Sequence, residues 1–172
     1  MLSPKRILIA TAAFLALLLA IGFLLPGIWH AERTVVIRAP ASTVFPYLNN
    51  IKRWREWSVW NQQQTEYSGP EAGVGATGRW NSEEGRIVMK IMQSEPDQRV
   101  AYTLLSNGGA FRAEGILTLL PEGEATRVVW SAVGEPGRNP ANRYFAILQG
   151  YRIGGELADS LELLKQRLET KP

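Results

Sequence analysis

Residues 85–133 read GRIVMKIMQSEPDQRVAYTLLSNGGAFRAEGILTLLPEGEATRVVWSAV, and this stretch decides the fold. Ile87, Met89 and Ile91 occupy every second position over 85–94, and Phe111, Ala113, Gly115, Leu117 and Leu119 do so over 111–120. A period of two marks a strand with one buried face. Residues 99–106 and 126–133 form two further strands. Pro96-Asp97, Asn107-Gly108-Gly109 and Glu122-Gly123-Glu124 fall between the runs and carry turn chemistry. The stretch therefore predicts antiparallel strands joined by short hairpins.

Upstream, Gly69, Gly73, Gly75 and Gly78 punctuate residues 68–79 and argue for turns and bulges over helix. Residues 32–38 (ERTVVIR) are rich in β-branched side chains and read as the first strand. In all, six or seven strands are expected. Between them Ser42 is placed to cap a helix over 43–48, with Pro46 in its first turn, where a missing N–H costs little. Asn49-Asn50 breaks this helix, and a second short one follows over 51–57. Downstream, Tyr144, Leu148 and Tyr151, then Leu157, Leu161, Leu164 and Leu168, recur at spacings of three and four. They predict one long amphipathic helix beginning near Asn139 or Asn142. Gly150, Gly154 and Gly155 interrupt it, each at a cost of about 1 kcal/mol relative to alanine.

The fold class is α+β. A sheet that can cover one face with only one long helix must curve around that helix, and such curvature leaves an interior space suited to a small apolar ligand. The three glycines are expected to border that space opposite Met89, Phe111 and Trp130. Close helix–sheet packing is the other use glycine permits there.

Residues 7–25 carry no charge and no strongly polar side chain but Thr11. As a helix they span about 28 Å, close to the ~30 Å of a bilayer core. Pro26 and Gly27 end this helix, and Trp29 stands where an interfacial aromatic belongs. A cleaved signal has a shorter apolar run and a small residue three before its cut site. Cleavage after Ala31 would put Trp29 at that position, so an uncleaved anchor is expected. Lys5 and Arg6 precede the helix, while Arg33 follows it with Glu32 alongside. This bias keeps the N-terminus cytoplasmic. Residues 1–31 are thus a stub and single-pass anchor in the inner membrane. Residues 32–172 are an exported ligand-binding domain, periplasmic where a cell has two membranes.

Composition excludes several classes. The chain has no cysteine, so thiol chemistry, disulfides and cysteine metal sites are ruled out, and its single histidine, His30, leaves the folded body without a histidine triad or a multi-histidine metal site. Of nineteen basic residues, seventeen lie beyond Arg6 and face all sixteen acidic ones. The body is near neutral, without the basic stripe of a nucleic-acid binder. Gly73, Gly75 and Gly78 precede no helix that could receive a phosphate, and no nucleophile motif is present. No cofactor or metal is expected.

The order strand, two short helices, meander and closing helix resembles the START-like superfamily, also labelled SRPBCC. Within it the chain is most similar to the polyketide cyclase/dehydrase and lipid-transport family. The likeness is carried by Val36-Ile37-Arg38-Ala39-Pro40-Ala41 with Val44-Phe45, by Trp54-Arg55-Glu56-Trp57-Ser58 and by Gly73-Val74-Gly75-Ala76. Thr126-Arg127-Val128-Val129-Trp130 and the run 161–168 with Lys165 complete it. It covers about residues 32–170 and implies a helix-grip fold, a curved antiparallel sheet wrapped around the long C-terminal helix. It leaves three functions open: a carrier of a lipid- or polyketide-like molecule, a cyclase or dehydratase, and an interaction module with a vestigial cavity.

Trp57, Trp60, Trp80, Met89, Tyr102, Phe111, Trp130, Tyr151 and Gly154 are the candidate cavity lining. Large aromatics equally serve as core, and Trp57 and Trp60 could instead meet the membrane interface. Arg112 and Glu114, two apart on a strand, are the strongest proton-transfer candidates, with Arg86 and Lys90 nearby. A solvated outer face with ordinary cross-strand pairs is the favoured reading of these charges, so no catalytic residue is assigned.

Overall fold

The computed structural model describes residues 3–25, 27–60, 64–82, 85–109, 111–135 and 140–170, without the side chains at 107, 140–142, 145 and 147. The elements run α1 (Pro4–Leu24), β1 (Trp29–Ile37), α2 (Ala41–Leu48), α3 (Ile51–Trp54), β2 (Glu66–Ser68), β3 (Thr77–Ser82), β4 (Gly85–Glu95), β5 (Arg99–Ser106), β6 (Phe111–Glu122), β7 (Ala125–Glu135) and α4 (Pro140–Glu169). Seven strands form one antiparallel sheet in the order β1-β7-β6-β5-β4-β3-β2. Alternation sets its faces. Met89, Ile91, Val100, Tyr102, Leu117, Leu119, Val128 and Trp130 are buried on the concave side, while Arg86, Lys90, Arg112 and Glu114 stand exposed on the convex one. The register of β4 against β5 shifts between Ile91 and Gln93, a bulge that bends the strand and leaves Met92 exposed.

α4 lies on the concave side along the edge strand β1. A side-chain carbon added at Gly150 would stand 3.3 Å from the His30 carbonyl oxygen, and one at Gly154 would stand 2.5 Å from an Arg33 guanidinium nitrogen. Farther along, the Arg38 amide donates to Glu169 Oε1 at 2.8 Å, so helix and strand run side by side. Leu157, Leu161 and Leu164 are buried on this helix face. The glycines at 150 and 154 thus serve close helix–strand packing, four strands away from Met89 in the sheet order. Of these three helix glycines, Gly155 is the one that faces open space.

Several local expectations are corrected. The cap of α2 is Pro40, not Ser42, and no side chain caps it; proline's extended backbone (φ −65°, ψ 153°) starts the helix two residues earlier. α3 ends at Trp54, after which single turns carry the chain to Ser58. Asn50 is also its cap, accepting from the Lys52 amide at 2.9 Å. β1 begins at Trp29, three residues before the expected strand, because Trp29 pairs with Gly134 and lays its ring over that glycine. Trp29 is thereby half-buried against the core. Pro26 and Asn139 lie outside the described residues.

One more aromatic–glycine pair fixes the sheet's centre. Tyr102 is paired with Gly115, and a side-chain carbon at Gly115 would lie 2.1 Å from the Tyr102 ring. Gly115→Ala should therefore displace the ring and cost about 1–3 kcal/mol in denaturant unfolding of the full chain in detergent micelles. Gly155→Ala has nothing within 4 Å to strike and should gain about 0.5–1 kcal/mol of helix stability. The reverse order of the two effects would contradict this packing.

Candidate functional site

Strand register carries residues across the concave face in rows. The row Trp29, Gly134, Ala113, Leu104, Met89 runs from β1 to β4. One step deeper lie Ala31, Ala132, Gly115, Tyr102 and Ile91, and one step outward lie Phe111, Ser106, Ile87 and Trp80. Since β1 starts just after α1, the outward rows mark the end of the sheet nearest α1. Burial changes along this direction. Ile91, Leu117, Val128 and Trp130 are inaccessible; in the outward rows Met89, Ser106 and Trp80 stay buried while Ile87, Leu104 and Ala113 are half-buried and Phe111 is 40% exposed. The grip is closed at its far end and loosens toward α1.

The closed end is filled by indoles. Trp54 and Trp57, delivered by α3 and its exit, have ring centroids 5.0 Å apart, and both stand 5.6 Å from Trp130 of β7. Tyr102 packs edge-on against Trp54 at 5.3 Å. Every indole N–H of this cluster has a partner. Trp54 donates to the Leu48 carbonyl at 2.9 Å, Trp57 to the Tyr47 carbonyl at 3.2 Å, and Trp130 to the Tyr102 hydroxyl at 3.0 Å. Satisfied N–H groups let such rings be buried without a desolvation penalty. Burial pushes the Tyr102 phenol well above its ordinary range, against the smaller opposing effect of the Trp130 hydrogen bond, so it stays neutral.

Trp60 stands between the filled and open ends. It stacks on Trp54 at 6.0 Å and meets Trp130 edge-on at 5.4 Å, yet it is only half-buried. Its N–H donates to Glu156 Oε2 of α4 at 2.9 Å, and the next backbone amide, Val59, donates to Ser160 Oγ at 3.0 Å. The 58–60 segment and β1 therefore grip opposite flanks of α4.

The expected lining residues separate by position. Trp57, Met89, Tyr102 and Trp130 are buried in the filled interior and Trp80 is buried within the outward row, whereas Trp60 and Phe111 are partly accessible at the loosened end. Gly154 packs on Arg33 of β1. Tyr151 is 78% exposed, because it lies about 100° around the helix from the strand-facing Gly150. It does not line the interior. Leu104, Ala113 and Ile87 were not among the expected lining, although their parity on the alternating strands places them there. Glu156 carried no local signal, since its partner Trp60 is 96 residues away.

Arg112 and Glu114 pair with each other at 2.6 Å on the convex face, both more than half exposed. They are separated from the concave side by the sheet itself. No group of three or more metal-ligating acidic or histidine side chains occurs among the described residues.

Known structures share this architecture. A Thermobifida fusca protein superposes with a TM-score of 0.63 at 19% identity, over 82% of this chain and 93% of its own. DynU16, from the dynemicin biosynthetic locus, gives 0.58 at 21% identity, over 82% of this chain and 47% of its own. The di-domain ARO/CYC BexL of the BE-7585A biosynthetic pathway gives 0.62 at 15% identity, over 85% and 52%. The chain thus spans about half the length of the latter two, and at these identities the likeness concerns the fold. No curated relative matches the sequence. The family described as polyketide cyclase / dehydrase and lipid transport matches residues 29–169, from the first residue of β1 to the last of α4, and the chain belongs to that family.

Proposed function

We propose that this chain is a membrane-anchored protein that binds an apolar or amphipathic small molecule, lipid- or polyketide-like, at the α1 end of its concave face. The observation that carries the proposal is the gradient of burial there. Ile87, Leu104, Ala113, Phe111 and Trp60 present partly accessible apolar surface on the inside of a sheet whose deeper rows are fully packed. Apolar surface left open inside a curved sheet is the usual character of a small-molecule site. The family match supports a ligand-binding fold. Binding fits better than proton-transfer chemistry because the Arg112–Glu114 pair lies on the other side of the sheet.

α1 supplies the anchor in this reading. It has the length and composition of a membrane span or a signal sequence, and almost all of it is exposed. With Lys5 and Arg6 in its first turn, ahead of the apolar run, the N-terminus stays cytoplasmic and the sheet domain lies outside the inner membrane.

Two outcomes follow. Ala113→Trp should fill the open end and weaken retention of the apolar probe N-phenyl-1-naphthylamine at least tenfold, about 1.4 kcal/mol. Arg112→Ala and Glu114→Ala should each stay within tenfold of the parent. Equal retention by all three variants would remove the site from the concave face. For the anchor, the full-length chain should stay in the membrane fraction and resist protease added to intact cells, becoming cleavable once the outer barrier is opened. Recovery of a soluble fragment beginning near residue 32 would instead establish a cleaved signal.

A further inference from the structure

α4 does not begin inside the sheet domain; it begins against α1. Arg143 donates to the Phe23 carbonyl at 2.9 Å and to the Leu25 carbonyl at 3.3 Å, satisfying carbonyls that the end of α1 leaves open. The Tyr144 hydroxyl donates to the Leu18 carbonyl. Gly22 is the one buried residue of α1, and four positions before it Leu18 is half-buried. The second turn of α4 is therefore level with the last turns of α1.

The outward stripe of α4 then changes character along its length. Tyr144, Leu148, Tyr151 and Gly155 follow one another at spacings of four, three and four, and Asp159 and Glu162 continue the same stripe. Leu148 is 66% and Tyr151 78% exposed. An exposed stripe that is aromatic and aliphatic beside an apolar helix, and acidic beyond it, is not patterned for one solvent. Arg143 and Arg152 bracket the apolar half, where long cationic side chains can reach the interfacial level.

We infer that the first four turns of α4 form a second membrane-contacting element, embedded at the bilayer interface beside α1, with the water boundary near Gly155. This rests on α1 being an uncleaved span. The occupant is the lipid surface because Tyr144 fastens this stripe to the exposed apolar helix α1, Leu148 and Tyr151 are exposed next to it, and the stripe turns acidic at Asp159 and Glu162. The contact also directs the loosened end of the sheet, with Phe111 and Ile28 exposed beside it, toward the membrane.

The cysteine-free chain allows a direct test. Single substitutions Leu15→Cys, Leu148→Cys, Tyr151→Cys and Asp159→Cys, each carrying a nitrobenzoxadiazole label, are made in the full chain. The proteins are reconstituted in phosphatidylcholine vesicles with and without lipid nitroxide at the shallow acyl position. Unchanged near-ultraviolet circular dichroism confirms that each variant keeps its fold. Labels at 148 and 151 should be quenched by the nitroxide at least twofold more than the label at 159, and the label at 159 should respond most to aqueous iodide. Equal iodide quenching at 148, 151 and 159, with position 15 still quenched by lipid, would overturn this inference and leave the anchor standing. Loss of lipid quenching at position 15 as well would overturn both.

Discussion

Everything in this domain is arranged around the indoles that fill one end of the sheet. Trp54, Trp57 and Trp130 are fully buried, and each directs its N–H to an acceptor inside the chain. That requirement fixes the rest. The carbonyls of Tyr47 and Leu48 at the end of α2 accept two of these protons, so α2 and α3 are joined through side chains as well as sequence. The Tyr102 ring needs Gly115 beneath it, and Trp60 needs Glu156 on α4. Aromatic pairs at such separations add about 0.5–1.5 kcal/mol each beyond their buried area. One cluster thus ties α3, the sheet and the closing helix together.

How much of this was legible follows from range. The meander was readable because alternation and turn residues are local: Pro96-Asp97 and Glu122-Gly123-Glu124 lie where the strands reverse, with Asp97 and Gly123 in the left-handed region at φ 60° and 63°. The long helix was readable from its leucines. The meaning of its glycines was not, because it depends on which strand the helix crosses. Nothing near Gly150 or Gly154 in sequence points to β1, and glycine serves close packing and open space equally. The pairing of Trp29 within β1 was not legible for a related reason. Position beside an apolar run suggests an interfacial ring, but Gly134, its cross-strand partner, lies more than a hundred residues away. The candidate site was legible as a face and not as a place. Met89, Tyr102, Phe111 and Trp130 share the concave face by strand parity, while depth along that face, which separates core from open rim, is set by where α4 and the 58–60 segment lie.

The two ends of the concave face have opposite physical character. The end far from α1 is closed by the tie between Arg38 and Glu169 and by the buried hydrogen bond from Thr126 to the Ala39 carbonyl. The end near α1 has half-buried aliphatic side chains, Trp60 as its inner wall, and small residues at Ala31, Ala113 and Ala132. A protein that only needed a core would gain by filling that end. In the account proposed here it stays open because a ligand fills it, and it faces the membrane because Arg143 fastens α4 to the carbonyls at the end of α1.

The most direct measurement is native mass spectrometry of the full chain, released from membranes of the cells that make it and desolvated gently. The account predicts a population carrying one small apolar or amphipathic molecule per chain, lost on collisional activation. A spectrum containing only the bare chain, from preparations in which a bound lipid standard survives the same treatment, would contradict it.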